Sequence, residues 1–501
     1  MSAERTYGLE LEKAIADRST GMLHAVGNDF FHRVAHRAVK RGQTPSFGFS
    51  DKRPDTILSV TTDDLGDQGL DNGYNLLETA LPYTTEFEKL AEIAEADLDV
   101  TVDALKEEGA SMVNLSIHPL GSTDEKTYKA FAAPKTLYDY LGARGWDHSA
   151  GIDAKAQNSP ATGVSAHEAA DAVSVMIGSG AAMVGLFANS PYAEGQRTPY
   201  KESRLMMWDR MLGGSPVKGD HRTAQFPPER FETLAQYFNW MHGGDSGIHF
   251  VLADNKGYKK VGDSLIVVEG NPSVLDYLAM PETQGRTLND MLSGNNDHPI
   301  SVVPDISHME TMQFAQFAGA RVRYGLQHDG FPTARFLEAC RRPDKRGVED
   351  IFAQNANFVY IEGRDPGANF PDGELYESGD AIAQSTFMSP SAIQAGLIQN
   401  LDGAVSYLNG YHWQHLGALR DAAIRDGLQG EVDGVTVGKF ADDILKIAAE
   451  GLQPEQERLL AYPEHVLRTG KNGADRAVDF AGDHPSQQTL QQLVKNREVT
   501  L

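Results

Sequence analysis

Alternating apolar and polar residues near the N-terminus predict the first element of the chain. Leu9 and Leu11 alternate with Glu10 and Glu12, the period of two expected for a strand with one apolar and one polar face. Side chains two residues apart on a strand project from the same face, so the two glutamates point the same way. Their mutual repulsion can be relieved by water or by a divalent cation, which takes oxygen ligands. This stretch alone leaves a solvated strand face and a metal site equally open.

Hydrophobic periodicity along the rest of the chain predicts helices and strands in irregular alternation. We expect helices over 15–40 and 84–109, strands over 56–62, 74–80, 112–118 and 358–364, one long helix of small residues over 166–188, and a mostly helical C-terminal part. A glycine- and aspartate-rich turn region is expected between the strands 56–62 and 74–80. Because the strands are scattered among helices without regular βαβ spacing, the pattern favours an α+β fold with a largely antiparallel sheet.

Composition narrows the class of protein. The 501 residues carry a formal net charge of −25, which argues against nucleic acid or an anionic membrane as the main partner. The single cysteine, Cys340, excludes an intrachain disulfide and fits a reducing compartment. No run reaches the roughly 18 apolar residues of a membrane span, and the N-terminus lacks a signal-peptide pattern. We therefore expect a cytoplasmic protein, in which any anionic substrate must meet local positive charge or metal. The sequence has neither a G-x-G-x-x-G nor a Walker loop for nucleotides.

Acidic and basic residues on two predicted strands are candidates for chemistry. Glu78 lies among apolar residues, as either an edge residue facing water or a buried ligand. Glu362 and Arg364 share one face of their strand. They form either an ion pair worth under about 1 kcal/mol or a metal ligand beside an arginine that binds phosphate.

A second arginine follows the loop 189–195. Arg204 and Trp208 are spaced i and i+4, which on a helical turn places them on one face and predicts a cation–π pair.

These residues and their order resemble those of a known family. The matching motifs are Gly8-Leu-Glu-Leu-Glu-Lys13, Leu186-Phe-Ala-Asn-Ser-Pro-Tyr-Ala-Glu-Gly195, Arg204-Leu-Met-Met-Trp208, Tyr360-Ile-Glu-Gly-Arg-Asp365, Asp443-Ile-Leu-Lys-Ile-Ala-Ala-Glu-Gly451 and Leu467-Arg-Thr-Gly470. In these segments the chain resembles the glutamate–cysteine ligases of the plant and proteobacterial type, a group of carboxylate–amine ligases related to glutamine synthetase. The segment 186–195 is the most specific of the matches.

The resemblance implies a fold and an activity. It implies one catalytic domain over 1–501, with a largely antiparallel sheet forming an open active-site bowl flanked by helices, and with 431–501 as a mostly helical part packed on it. The implied reaction converts ATP, L-glutamate and L-cysteine into ADP, phosphate and γ-glutamylcysteine through a γ-glutamyl phosphate. ATP is then a co-substrate and two to three Mg²⁺ ions are cofactors.

The resemblance also implies roles for individual residues. Metal ligands would be Glu10, Glu12, Glu78 and Glu362. Arg364, together with Glu78, would be catalytic, with the arginine contacting the γ-phosphate. The substrate-binding residues would be Arg204, which grips the α-carboxylate of glutamate, and Trp208, Tyr138 and His118, which line the substrate pocket.

Some features depart from the family pattern, and alternatives follow from them. The segment 159–165 offers only small residues where the family keeps glutamine, asparagine or histidine. A rival position for the glutamate and arginine pair exists at Glu338 and Arg341, but only Glu362 and its arginine share a strand face. The acceptor is therefore either cysteine or another amino acid or amine. A catalytically silent homologue that binds metal or nucleotide is the third possibility.

Overall fold

The computed structural model describes residues 5–121, 126, 132–150, 155–252, 264–295 and 298–501. Its strands in chain order are β1 (Tyr7–Asp17), β2 (Ser46–Phe49), β3 (Ile57–Thr62), β4 (Gly66–Leu70), β5 (Leu76–Ala80), β6 (Ala110–Val113), β7 (Asn158–Gly163), β8 (Tyr192–Ala193), β9 (Gln196–Arg197), β10 (Val251–Leu252), β11 (Leu265–Val268), β12 (Thr283–Thr287), β13 (Ile300–Val302), β14 (Ala320–Leu326), β15 (Ala356–Gly363), β16 (Glu431–Val432) and β17 (Val435–Thr436).

The α-helices account for most of the remaining regular structure. In chain order they are Asn28–Lys40, Phe87–Lys106, Thr136–Ala143, Ala169–Gly178, Gly180–Phe187, Met207–Leu212, Lys218–Arg222, Leu234–His242, Val274–Leu278, Leu288–Ser293, Ile306–Thr311, Thr333–Cys340, Gly347–Asn355, Gly373–Ser378, Asp380–Ser385, Ser389–Gln399, Leu401–Leu408, Trp413–Asp426, Val437–Gly451, Ala461–Thr469, Gly473–Ala481 and Gln487–Asn496. The mostly helical C-terminal part predicted from the sequence is confirmed.

One large sheet organises the fold. Nine strands pair in the order β14-β15-β7-β1-β5-β4-β3-β2, with β6 pairing beside β7 on the same edge of β1. Every pairing in this sheet is antiparallel. A four-stranded sheet, β10 to β13, and two short hairpins complete the strand pairing. The predicted mixture of helices with a largely antiparallel sheet is therefore confirmed.

The first strand lies in the middle of the large sheet and extends beyond Thr6–Lys13, the stretch whose alternation predicts it. β1 continues to Asp17 because Ala14 to Asp17 pair with β6. The helix predicted over 15–40 therefore begins only at Asn28. The region predicted as a turn between β3 and β5 contains the further strand β4, whose pairing with both neighbours outweighs its glycine content.

The chain over 166–188 forms two helices instead of the single helix predicted. Ala169–Gly178 and Gly180–Phe187 meet at an angle of 48°, at a Ser-Gly pair of the kind that permits such kinks. A Cβ atom at Gly180 would lie 2.4 Å from Asp365 Oδ2, so this glycine allows a close approach. Within the part of the chain that the structure describes, no single helix has both the length and the apolar composition to cross a membrane, and only this bent pair meets the test jointly.

The last residues of the chain return to the large sheet. The backbone N–H of Asn114 donates to the carbonyl of Arg497 at 2.8 Å, and the N–H of Val499 donates to Met112 at 2.9 Å. The guanidinium of Arg497 is fully buried and lies 3.1 Å from Asp372. The C-terminus is thus held against β6, next to β1.

A buried ion pair anchors the apolar face of β1. Leu9, Leu11 and Lys13 alternate with the glutamates and face the helix Phe87–Lys106. Lys13 Nζ lies 2.6 Å from Asp97 Oδ2 and 2.5 Å from Thr79 Oγ1, and neither charged side chain is exposed. The lysine of the Gly-x-Glu-x-Glu-Lys motif therefore ties a helix to the sheet.

We predict that Asp97→Ala lowers the free energy of unfolding by about 3–5 kcal/mol, because it leaves the ammonium of Lys13 buried and uncompensated. Asp103→Ala, at an exposed position of the same helix, is the matched control and should change stability by under about 0.5 kcal/mol. Urea unfolding followed by circular dichroism measures both. Equal effects of the two substitutions would contradict a stabilising role for the ion pair.

Candidate active site

Strand register brings three carboxylates together on the other face of the sheet. Glu12 on β1 lies directly opposite Glu78 on β5, and Asp71 follows the end of β4, which pairs with β5. Carboxylate oxygens from these three residues all lie within 4.8 Å of one another. Glu12 is only 4% exposed. We call Glu12, Asp71 and Glu78 the carboxylate triad.

The electrostatics of the carboxylate triad favour a bound cation. Burial raises the pKa of Glu12, Lys155 opposes that rise, and the nearby charge of Asp71 adds to it. A divalent cation would offset both the desolvation and the repulsion. The ligand atoms are all carboxylate oxygens, which suit hard cations such as Mg²⁺ and not the softer metals that prefer thiolate or imidazole. The residues present therefore fit a magnesium ion.

Tyr138 and Lys135 fix the position of Asp71. The hydroxyl of Tyr138 donates to the backbone carbonyl of Asp71 at 2.8 Å, and Lys135 Nζ donates to the same carbonyl at 2.5 Å. Tyr138 was predicted to line a substrate pocket, and its side chain does border the smaller cavity described next.

Two cavities meet at the carboxylate triad. The larger, of about 600 Å³, lies over β2 to β5, and its floor includes the glycines Gly48 and Gly69. The smaller, of about 230 Å³, extends from β1 towards β14 and β15. Asp71 and Glu78 border both cavities. A metal ion at the triad would therefore contact ligands in either cavity.

Three arginines that border the smaller cavity surround Glu362. Arg321 Nη2 lies 2.6 Å from Glu362, Arg364 Nη1 lies 3.0 Å from it, and Arg323 Nε lies 3.4 Å from it. Burial raises the pKa of Glu362, but these three guanidinium groups outweigh burial and hold it well below its usual range. Glu362 was predicted as a metal ligand. The structure instead places it among arginines, outside the carboxylate triad.

Glu10 lies between the acidic and basic ends of the smaller cavity. Its carboxylate borders that cavity but is not a member of the carboxylate triad. Burial, followed by the negative charge of Glu362, raises the pKa of Glu10. Of the four glutamates predicted to bind metal, Glu12 and Glu78 share one cluster, Glu10 adjoins it and Glu362 is separate.

Trp208 borders the smaller cavity with a different partner from the one predicted. Lys155 Nζ lies 4.4 Å from the centroid of its ring, and Phe317 stacks on it at 4.1 Å. The predicted cation–π pair with Arg204 is wrong among the described residues. The cause is local: Ser203–Met206 forms a 3₁₀ turn, in which residues i and i+4 no longer share a face as in an α-helix.

Arg204 and His118 do not border either cavity. Arg204 is 0% exposed, and its guanidinium donates to Glu202, to Gln157 and to two backbone carbonyls. His118 is also fully buried, and burial lowers its pKa to about 4. The structure therefore places Arg204 and His118 behind the cavity walls, and their role in substrate binding stays a prediction.

Several residues that border the site were not found from the sequence. They are Asp71, Lys155, Arg321, Arg323, Trp146 and His148. Arg321 and Arg323 had a usable signal, because they alternate with Ala320, Val322 and Tyr324, the period of two typical of a strand. Asp71 and Lys155 lie outside the strands of the large sheet, where periodicity gives no signal.

Comparisons with known proteins give one family match and two structural matches. Residues 6–288 match the model of the glutamate-cysteine ligase family 2 (GCS2). A search of curated proteins found no significant match. The chain is structurally similar to a Francisella tularensis glutamate–cysteine ligase solved in complex with AMP, with a TM-score of 0.51 and 11% identity over 98% of this chain and 88% of that one. It also matches a bifunctional glutathione synthetase from Pasteurella multocida, with a TM-score of 0.43 and 14% identity over 98% of this chain and 52% of that one.

We predict that Glu12→Gln and Asp71→Asn each weaken Mn²⁺ binding by roughly 10–100-fold, at least the loss known for residues that support metal ligands. Mn²⁺ is a suitable probe because it takes the same oxygen ligands as Mg²⁺. Electron paramagnetic resonance of free Mn²⁺ measures the affinity. Glu88→Gln, at an exposed position, is the control and should bind as the unaltered chain does. Unchanged affinity in both triad variants would mean that the metal lies elsewhere.

Proposed function

The chain belongs to the glutamate-cysteine ligase family 2, and we propose that the two adjoining cavities are the active site in which it makes γ-glutamylcysteine from ATP, glutamate and cysteine. The observation that carries this proposal is the carboxylate triad at the junction of the cavities. It offers a metal site between a space that suits a nucleotide and a space that suits an amino acid.

The larger cavity is the proposed site for ATP. Its volume of about 600 Å³ is in the usual range for ligand sites. Because Gly48 and Gly69 have no side chains, ligand atoms can approach the strands directly. Glu12, Asp71 and Glu78 would hold Mg²⁺ at the end of this cavity. We propose two to three Mg²⁺ ions in total, with Glu10 as a further ligand. The metal would neutralise charge on the phosphates.

Glutamate is proposed to bind in the smaller cavity. The cations that border this space are Lys155, Arg321, Arg323 and Arg364, and any of them can pair with a substrate carboxylate. Trp208 and Tyr138 would then pack against the aliphatic part of the substrate. Because the carboxylate triad lies between the cavities, the γ-carboxylate of glutamate would point towards the γ-phosphate.

The proposed reaction has two steps. A γ-carboxylate oxygen of glutamate forms a bond to the γ-phosphorus while the bond from that phosphorus to the bridging oxygen breaks, which releases ADP and leaves γ-glutamyl phosphate. Arg364 would stabilise the charge on the transferring phosphoryl group. The neutral amino group of cysteine then attacks the acyl carbon and phosphate departs. The amine proton passes to a phosphate oxygen or a nearby carboxylate.

The extent of the catalytic domain is also part of this proposal. We propose one catalytic domain over 1–501, with 431–501 packed on it. The large sheet includes strands from β1 (Tyr7–Asp17) through β15 (Ala356–Gly363), and the C-terminal residues pair with it. A cytoplasmic location is proposed from the single cysteine, Cys340, which is buried and unpaired with another cysteine.

A substrate panel tests the proposed function. Purified protein with ATP, Mg²⁺ and L-glutamate should release ADP when L-cysteine is added, with one γ-glutamylcysteine formed per ADP. Coupled ADP detection and mass spectrometry measure the two products. Serine, 2-aminobutyrate and methylamine added in place of cysteine identify another acceptor if one of them reacts faster. Absence of turnover with every amine would instead indicate a silent homologue that binds metal or nucleotide.

We predict that Arg364→Lys lowers kcat by roughly 100-fold, because lysine cannot reproduce the two-pronged contact of arginine with a phosphoryl group. Arg341→Lys is the matched control at the rival motif position, where the side chain is exposed, and kcat should not change. Steady-state kinetics of both variants measure this. An effect of Arg364→Lys on KM alone would assign that arginine to substrate binding and not to phosphoryl transfer.

A further inference from the structure

Arg204 contacts both halves of the proposed active site without bordering either cavity. Its guanidinium is fully buried. Nη1 donates to the side-chain carbonyl of Gln157 at 2.9 Å, and Nη2 donates to the backbone carbonyls of Arg364 at 3.3 Å and Asp365 at 2.8 Å. From these contacts we propose that Arg204 is a positioning residue that fixes Glu12 and Arg364 relative to each other. The proposal rests on the proposed function for its kinetic readout.

The link from Arg204 to the carboxylate triad passes through one residue. The backbone N–H of Gln157 donates to Glu12 Oε2 at 3.1 Å, and its carbonyl accepts from the N–H of Glu12 at 3.0 Å. Gln157 is 1% exposed and, like Arg204, does not border the smaller cavity. Its backbone therefore holds a triad carboxylate while its side chain is held by Arg204.

The link from Arg204 to Arg364 passes through the backbone. The N–H of Arg364 donates to the carbonyl of Gly319 at 2.9 Å, and the carboxylate of Asp365 accepts from Arg420 Nε at 3.0 Å. With the two contacts from Arg204, this short segment is held from three directions. The backbone of Arg364 is therefore held in place, and its side chain extends from there into the cavity, next to Glu362.

Arg204 is itself held by a buried counter-charge. Nε donates to Glu202 Oε1 at 3.0 Å, and the other oxygen of Glu202 accepts from the backbone N–H of Asn189 at 2.7 Å. Asn189 belongs to the loop 186–195, the most specific motif of the sequence. The function of that motif is therefore to anchor the ion pair of Glu202 and Arg204.

Four of the five N–H donors of Arg204 are engaged in this way, and the side chain is 0% exposed, which leaves one N–H on Nη1 for any further acceptor. A two-pronged contact with a substrate carboxylate would have to break at least one hydrogen bond to a buried protein atom, which is costly. Lysine has one nitrogen where arginine has three, so Arg204→Lys cannot reach Glu202, Gln157 and the two carbonyls together. This substitution keeps the charge and removes the positioning.

Kinetics and metal binding of Arg204→Lys test the proposal. We expect kcat and Mn²⁺ affinity to fall, each by roughly 10–100-fold, as for residues that support a metal site, with the KM for glutamate changed by less than about threefold. In the Arg364→Lys background the substitution should lower kcat little further, because both residues act through one group. Arg476→Lys, at another buried arginine paired with Asp372, controls for general destabilisation and should keep both kcat and Mn²⁺ affinity.

The opposite pattern would overturn the proposal. If Arg204→Lys raised the KM for glutamate with kcat unchanged, and did so equally in the Arg364→Lys background, Arg204 would bind the substrate directly. If Arg204→Lys does not fold, Gln157→Met tests the same link and should weaken Mn²⁺ binding; unchanged affinity would overturn the proposal. Because Mn²⁺ affinity is measured without substrates, a failure of the proposed ligase activity is distinguishable from a failure of the positioning role.

Discussion

The close approach of the three carboxylates of the triad is the constraint on which the candidate site depends. Antiparallel register places Glu12 and Glu78 directly opposite each other, and the chain adds Asp71 beside them. Burying such a group is unfavourable unless positive charge compensates it. Lys155 supplies part of that charge, and a divalent cation would supply the rest. At Glu362, by contrast, three arginines already compensate the carboxylate.

The sequence predicted the glutamates on β1, β5 and β15 but missed Arg321 and Arg323 on β14. Alternation identified the face of β1 that carries Glu10 and Glu12, and the face of β15 that carries Glu362, because a period of two is a property of the strand itself. Alternation could not identify Asp71 or Lys155. Their positions depend on where the ends of β4 and the approach to β7 lie in the folded chain, which is a tertiary property. The predicted strand ends before β1 does for a similar reason, because the last residues of β1 are stabilised by pairing with β6.

Family resemblance identified Arg204 but not its surroundings. The motif Arg-x-x-x-Trp suggested a helical face directed at substrate, whereas the 3₁₀ turn directs the guanidinium into the protein. The same holds for Lys13 in the first motif, which faces away from the glutamates and pairs with Asp97. In both cases the matching residue serves the architecture that presents the charged groups. A sequence motif records which residues are needed together, and only the structure distinguishes the groups that face ligand from those that hold them.

The central position of β1 has a consequence for how the protein is synthesised. β1 is synthesised before β5, β6 and β7, with which it pairs, and before Glu498, which pairs with β6. The site around Glu12 therefore cannot form until Arg364 has been synthesised. The edge of β6 likewise stays unpaired until Val499 has been synthesised. Contacts so distant in sequence slow folding and expose unpaired strand edges in the nascent chain. We expect this protein to need chaperone protection during translation and to tolerate C-terminal truncation poorly.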